Sequence, residues 1–377
     1  MKATGIICEY NPLHLGHKKQ LDTVDSPKVC IMSGNFVQRG APAIVDKMLR
    51  AKAAVLCGAD LVLELPVTAT LSSAEGFASE AVRLLAPICD KLCFGAEDTN
   101  GLMTVAQALL DERFPSALRL QLDKGLSFPA ARQAALESMG LDGEILGKPN
   151  NILGIEYCKA ILAQGLGMTP MPIHRMGSYH AEEADAENPS ATSVRKRMLG
   201  NHDWKSCIPS QATEIFEGAT LHSLQEGQRA ILGKLRTMTD AEFEALPYGS
   251  EGLWRKLMHA AQSCATLEEI ATAVKSKRYT RSRIDRMILC AYLGLTAADF
   301  DSPAPYARVL AFNDRGRELL KIARESGWYP NIGEKTDHPY QAIEDRIDAL
   351  YGLFAQNAPE IPDRKDRVSY FPSTKKG

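Results

Sequence analysis

Two histidines lie three positions apart in Asn11-Pro12-Leu13-His14-Leu15-Gly16-His17, with a glycine just before the second. Imidazoles at that spacing on the first turn of a helix can donate to phosphoryl oxygens and stabilise the charge that develops as pyrophosphate leaves. A glycine at the turn lets a nucleotide approach the backbone closely. A helix beginning near Gly16 adds free N–H groups and the positive end of its dipole. No covalent attachment is required. A His-x-x-His pair also occurs as structural or surface residues, and as a metal pair, although the His-Glu-x-x-His pattern is absent here. What favours the phosphate reading is the strand before the motif and the helix after it.

Such a turn needs a scaffold that delivers it to an open edge. Residues 3–10 form a short apolar run suited to a buried parallel strand, and residues 17–24 read as a helix. Residues 28–32 give a second strand, followed by the turn Ser33-Gly34-Asn35. Residues 46–56 read as a helix with Asp46 as N-cap and Gly58 past its end. A strand at 61–65, a helix at 73–85 and a strand at 91–94 continue the alternation. Alternation of this kind predicts right-handed crossovers and a Rossmann-like parallel sheet, which binds ligands at the carboxyl ends of its strands. Asn11 and His14, Ser33 and Asn35, and Gly95 and Glu97 all fall at such ends, which predicts one shared site.

Residues 100–166 read as mostly helical, residues 169–176 as a last strand, and Ser190-Ala191-Thr192-Ser193 as a capped helix start. Beyond residue 200 strand signals fade, helical patterns dominate, and Trp204, Trp254 and Trp328 appear. We place a boundary near Gly200, giving an α/β domain over 1–200 and a mainly α-helical domain over 201–377.

The bulk numbers describe an ordinary globular chain: 377 residues, 45% hydrophobic, 24% charged, net charge −2. That balance argues against indiscriminate binding to nucleic acid but leaves room for a local basic patch. No apolar run approaches the ~18 residues of a membrane helix. The apolar part of residues 1–7 is short for a signal peptide, so a cytoplasmic location without membrane contact is expected. Nine scattered cysteines without a Cys-x-x-Cys pair suggest neither disulfides nor a zinc ribbon. Cys89 and Cys93 read as small buried hydrophobes rather than metal ligands, and no metal site is expected.

Other charged residues carry two readings each. Lys47 and Arg50 share a helical face, where a solvated surface competes with phosphate or RNA contact. Arg39 is open between nucleotide and RNA, and Glu97 between a hydrogen-bonded structural role and a base or metal-shell residue. From Lys275 to Arg286 there are six cations against one anion, with Tyr279 interleaved. Charge this dense in a near-neutral chain points to RNA phosphates, with Lys275, Lys277, Arg278, Arg281 and Arg283 as candidates and a solvated helix face as the bland alternative. Basic residues at 364–367 and 375–376 read as a second cluster or a loose tail.

The longer motifs resemble one family. Ser33-Gly34-Asn35-Phe36-Val37-Gln38-Arg39-Gly40, Pro42-Ala43-Ile44-Val45-Asp46-Lys47 and Gly58-Ala59-Asp60-Leu61-Val62-Leu63-Glu64-Leu65-Pro66 look like the bacterial tRNA(Met) cytidine acetate ligases, within the His-x-Gly-His nucleotidyltransferase superfamily. Phe94-Gly95-Ala96-Glu97, residues 149–157 and Ser178-Tyr179-His180 continue the match. The resemblance implies a nucleotidyltransferase fold and an ATP-dependent ligase that turns acetate into acetyl-adenylate and acetylates N4 of the wobble cytidine of elongator tRNA(Met). It implies an ATP loop of Ile7-Cys8-Glu9-Tyr10-Asn11-Pro12-Leu13-His14-Leu15-Gly16-His17-Lys18-Lys19-Gln20, completed by Gly95, one of Asn150 and Asn151, and Arg175. His14 and His17 would contact the phosphates, and Mg2+ is assumed to accompany ATP. Residues 190–195 stand at the superfamily's second phosphate loop, with Pro189 and Ala191 departing from its usual Ile and Ser. A small-molecule adenylyltransferase making a dinucleotide and a nucleotide-sensing RNA-binding protein are the alternatives.

Overall fold

A computed structural model describes residues 2–174, 189–276, 278–325, 338–357 and 368–372. Its frame is a seven-stranded sheet in the order β7-β6-β1-β2-β5-β8-β9. The strands are β1 (Ala3–Cys8), β2 (Lys28–Ser33), β5 (Leu61–Leu65), β6 (Cys89–Ala96), β7 (Thr169–His174), β8 (Arg308–Asn313) and β9 (Ser369–Phe371). A separate hairpin pairs β3 (Phe36–Val37) with β4 (Ala41–Pro42). Pairings β1–β2, β1–β6, β2–β5 and β6–β7 are all parallel. The chain builds β1, β2 and β5 in one direction and then returns across β1 to lay down β6 and β7. The order therefore reverses beside β1, which opens a crevice between the carboxyl ends of β1 and β6.

Helices cover both faces because the strands are apolar on both. On one face Val29, Ile31, Leu61 and Leu63 pack against the helices Ala74–Leu85 and Pro149–Ala163. On the other Ile6, Cys30, Met32 and Val62 pack against α2 (Lys47–Leu56) and the helix Ser210–Phe216. Asp46 caps α2, its carboxylate accepting from Met48 N at 2.7 Å. A third core belongs to the second half, where Ile231, Leu257, Ile270 and Met287 come from successive helices. Phe36 of the β3–β4 hairpin is part of that core, so the helices rest directly on the loop after β2.

The fading of strand signals after residue 200 misses two strands. β8 runs antiparallel to β5, with Leu61 opposite Phe312, and β9 extends the edge. The short run Val309-Leu310-Ala311-Phe312 precedes a helix directly, so its local pattern merges with the helical one. Strand β6 is also longer at both ends than residues 91–94. The rest of the described second half is helical, as expected.

Candidate nucleotide-binding site

The site is built where β1 ends. Tyr10 takes a left-handed backbone (φ 43°), and the chain turns sharply there into Asn11 and Pro12. Three distant elements pin this loop. Ile44 N donates to Asn11 Oδ1 at 2.8 Å, Gln38 N donates to Glu9 Oε1 at 2.8 Å, and Arg195 Nη1 donates to Asn11 O at 2.7 Å. Arg195 lies on the helix Ala191–Leu199, which Ser190 caps by accepting from Ser193 N at 3.1 Å. The segment 190–195 thus meets the turn after β1.

Helix α1 (Leu15–Asp22) starts with the two imidazoles in place of the usual hydroxyl and carboxylate caps. His14 Nδ1 accepts from Gly16 N at 3.1 Å, and His17 Nδ1 accepts from His14 N at 3.3 Å. The rings stack with centroids 3.8 Å apart, and Tyr10 meets His17 edge-on at 5.0 Å. A nitrogen that accepts carries no proton, so each neutral ring holds its hydrogen on Nε2. The capping bonds therefore select the tautomer in which both Nε2–H groups are donors. Gly16 lets the His14 ring lie close over the turn: a Cβ there would sit 3.0 Å from His14 Cε1, and the ring would have to give way by a few tenths of an ångström.

The remaining residues of the 7–20 segment divide by task. Ile7 and Cys8 are strand residues, and burial pushes the Cys8 thiol and the Tyr10 phenol well up, so both stay neutral. Pro12 and Leu13 are buried beneath the turn, and Leu15 and Gly16 are half-buried at the start of α1. Lys18 pairs with Asp22, Lys19 is exposed, and Gln20 reaches Cys93 Sγ on β6 at 3.7 Å.

Across the crevice, Gly95 sits in β6 one register step from its end. Glu97 follows and caps the helix Pro149–Ala163: its Oε1 accepts from Asn150 Nδ2 at 2.6 Å and its Oε2 from Asn151 N at 2.9 Å. That is the structural role. Asn151 commits both ends of its amide to Asp98, accepting from its N at 2.9 Å and donating to Oδ2 at 2.7 Å. Lys148 and Asn151 hold the Asp98 carboxyl below its ordinary range. Arg175, and the motif Ser178-Tyr179-His180, lie outside the described residues.

Lys47 and Arg50 are not on a solvated face, nor do they reach out toward a phosphate. Both are buried, at 1% and 0% exposure. Lys47 Nζ binds Asp348 Oδ2 at 2.6 Å and Glu64 Oε1 at 3.0 Å, and Asn35 Nδ2 donates to Asp348 Oδ1 at 3.0 Å. Burial alone would lower the Lys47 ammonium, yet Asp348 and Glu64 hold it above its usual range. Asp348 and Glu344 are not anticipated from sequence. They sit four apart among Tyr340, Ile347 and Tyr351 on the buried side of the helix Tyr340–Tyr351, and acids at apolar-face spacing are the available signal.

The basic segment after residue 274 is largely paired. Arg281 binds Glu268 at 2.7 Å and Asp285 at 2.8 Å, and Arg278 binds Glu251 at 2.5 Å. Arg283 donates to Tyr248 O at 2.8 Å and lies over the Tyr279 ring. Lys275 is exposed, and Lys277 and residues 364–367 and 375–376 lie outside the described residues. A neighbouring surface is not flagged by the sequence: Arg255 and Lys256 are exposed, Arg255 lies over Trp254, and Lys256 Nζ reaches Val274 O at 3.4 Å. Arg39 is exposed beside the β3–β4 turn. Among the described residues no group of three His, Cys, Asp or Glu is placed to hold a metal ion, and no helix is long and apolar enough to cross a membrane.

Comparison with known proteins identifies the family and the fold. The HIGH Nucleotidyl Transferase family model matches residues 1–365. A tRNA(Met) cytidine acetate ligase of Acetivibrio thermocellus is 36% identical over 372 residues, spanning 89% of each chain. Another, from Thermoanaerobacter sp., is 39% identical over 359 residues, spanning 88% of each. The apo crystal structure of Thermotoga maritima TmcAL superposes with a TM-score of 0.89 at 29% identity, over 99% of this chain and 100% of that one. The same protein bound with alpha-thio ATP superposes with a TM-score of 0.85 over the same shares.

Proposed function

Because the chain belongs to the HIGH nucleotidyltransferases, and within them to the tRNA(Met) cytidine acetate ligases, we propose the following reaction at the crevice between β1 and β6. The protein is an ATP-dependent ligase that acetylates N4 of the wobble cytidine of tRNA(Met). An acetate oxygen attacks the α-phosphorus of ATP, the bond to pyrophosphate breaks, and acetyl-adenylate forms. The cytidine N4 then attacks the acetyl carbon, the C–O bond to AMP breaks, and the amine loses one proton.

One observation carries the assignment: His14 and His17 cap the start of α1 through their Nδ1 atoms where the strand order reverses, which assigns the ring proton of each neutral imidazole to Nε2. These N–H groups match the charge that grows on the departing pyrophosphate. We assign the phosphates to His14, His17 and the N-terminus of α1, with Gly95 leaving room for the nucleotide at the end of β6. One of Asn150 and Asn151 is a proposed ATP contact at the start of the helix Pro149–Ala163, where the Asn150 amide also bonds Glu97 and the Asn151 amide Asp98. Arg175 remains a proposed ATP contact. ATP enters with Mg2+ on its phosphates, and the cytoplasm is the proposed location.

For the RNA we propose a surface formed by Lys275 together with Arg255, Lys256 and Trp254. Lys256 Nζ reaches Val274 O, which brings it beside Lys275. Acetyl-adenylate should form without tRNA, because every residue assigned to ATP lies before residue 200 and the patch lies after it. A single-turnover experiment with enzyme, ATP and labelled acetate, quenched before and after tRNA is added, tests this. Labelled adenylate followed by transfer to tRNA supports the ordering, and label appearing only once tRNA is present overturns it. Pyrophosphate exchange driven by nicotinate mononucleotide or phosphopantetheine instead of acetate would replace the ligase with a dinucleotide-forming enzyme.

A further inference from the structure

Among the described residues Arg50 is the largest side chain with essentially no exposure, and its charge has an unusual set of partners. Its Nε donates to Val45 O at 2.8 Å, and its Nη1 to Glu9 O at 2.6 Å and Ser33 O at 3.2 Å. Its Nη2 donates to Gly34 O. None of the ion pairs among the described residues involves it. Burial lowers the guanidinium from its ordinary value, but an arginine that starts so high stays charged. All the hydrogen bonds of this buried cation go to backbone carbonyls, while the Asp46 and Glu9 carboxylates support its charge without touching it.

Those carbonyls belong to the exits of two neighbouring strands, β1 at Glu9 and β2 at Ser33 and Gly34, and to Val45 just before α2. Left without a donor, they would direct four negative dipole ends together just below a site that receives a polyanion. We propose that Arg50 is a positioning residue for the phosphate-binding turn: it locks the exit of β1 against that of β2 and cancels the carbonyls' field. The turn from Tyr10 to His17 departs directly from the Glu9 carbonyl it holds. A shift there moves both imidazoles, and displacements of about 1 Å are enough to slow a reaction about a hundredfold. The guanidinium fork suits the task because it spans several acceptors at fixed angles, which an ammonium cannot.

This rests on the reading of the crevice as the ATP site. The test compares Arg50→Lys and Arg50→Met in acetate-dependent ATP–pyrophosphate exchange and in equilibrium binding of ATP. Lysine keeps the charge and loses the fork; methionine loses both. In Arg50→Lys, the KM values for ATP and pyrophosphate should rise on the order of tenfold while that for acetate moves by about twofold or less. In folded Arg50→Met, ATP binding should weaken on the order of tenfold to a hundredfold. Equal rises for all three substrates would mark Arg50 as a general brace and overturn the proposal, as would unchanged ATP binding in both variants. If Arg50→Met does not fold, the KM pattern of Arg50→Lys decides. A wild-type chain without acetate-dependent exchange overturns the ligase reading itself, which the variants do not affect.

Discussion

The His14–His17 turn and the basic segment after residue 274 are both dense in functional-looking side chains, and they differ in where their partners come from. In the turn, His14 and His17 satisfy each other's backbone within four residues, and Gly16 between them is fixed by a contact to His14. In the basic segment, Arg278 and Arg281 find Glu251 and Glu268, which lie 27 and 13 positions away. The first arrangement is written into local spacing. The second is decided by which helices pack together, so a charge count along the segment overstates the positive charge it offers to RNA.

The sharpest test of the local arrangement is His17→Ala. It removes one Nε2–H donor and the acceptor for His14 N, while Tyr10 and Leu13 keep the loop packed. Acetate-dependent pyrophosphate exchange should fall by ~10²–10³ with the fold intact. His17→Asn, whose amide can still cap and donate, should recover part of that loss. Exchange within a few-fold of wild type in a folded alanine variant would remove the phosphate role and leave His17 as a helix cap.

The same contrast explains which parts of the molecule are legible in its residues. Strands β1, β2 and β5 and their helices are readable because each is an apolar run closed by Ser33, Pro66 or an N-cap such as Asp46. Strand β8 is not, because an antiparallel partner from residue 308 onward has no signature apart from four apolar residues. Lys47 and Arg50 mislead for a related reason. Surface cations and buried ones look alike in a helix until their acceptors are known, and those acceptors are Asp348 near the far end of the chain and carbonyls that no sequence displays. Arg175 is named from family resemblance alone, and it lies outside the described residues.

The second test separates exposed cations from paired ones. Replacing Arg255, Lys256 and Lys275 by glutamate should weaken tRNA binding and flatten the log–log salt slope by ~0.7–0.9 for each RNA phosphate the protein no longer neutralises. Arg281→Ala should change that slope little and instead lower stability by about 1 kcal/mol, because its pair with Glu268 is exposed and screened by solvent while that with Asp285 is half-buried. Filter binding across a salt series, with thermal unfolding alongside, reads both. A slope that responds to Arg281→Ala and not to the triple change would reverse the assignment and return the RNA contact to Arg281.

The narrowest effect, confined to one pH window, belongs to the buried ionic cluster, where long-range pairing has left one acid poorly matched. Burial pushes the Glu344 carboxyl from 4.5 up to about 7, and the charge of Glu64 adds to the push, while Lys47, Tyr306 and Arg308 oppose it. Tyr306 OH donates to Glu344 Oε2 at 2.8 Å. Between these two values the folded protein holds a proton that the unfolded chain has released, so stability falls as pH rises from 4.5 through about 7 and then levels. The full shift corresponds to at most about 3 kcal/mol, and coupling to Lys47 and Glu64 reduces what is seen. Glu344→Gln keeps an acceptor for Tyr306 and cannot ionise. Its stability relative to wild type should therefore be near zero or slightly negative at pH 4.5 and become positive by pH 8, by about 1–2 kcal/mol. Urea unfolding of both proteins at the two pH values measures the difference directly. A gap that is the same at both would mean that Glu344 is charged in the folded state throughout, with Lys47 and Arg308 sufficient to hold three carboxylates, Glu64, Glu344 and Asp348, as a balanced group.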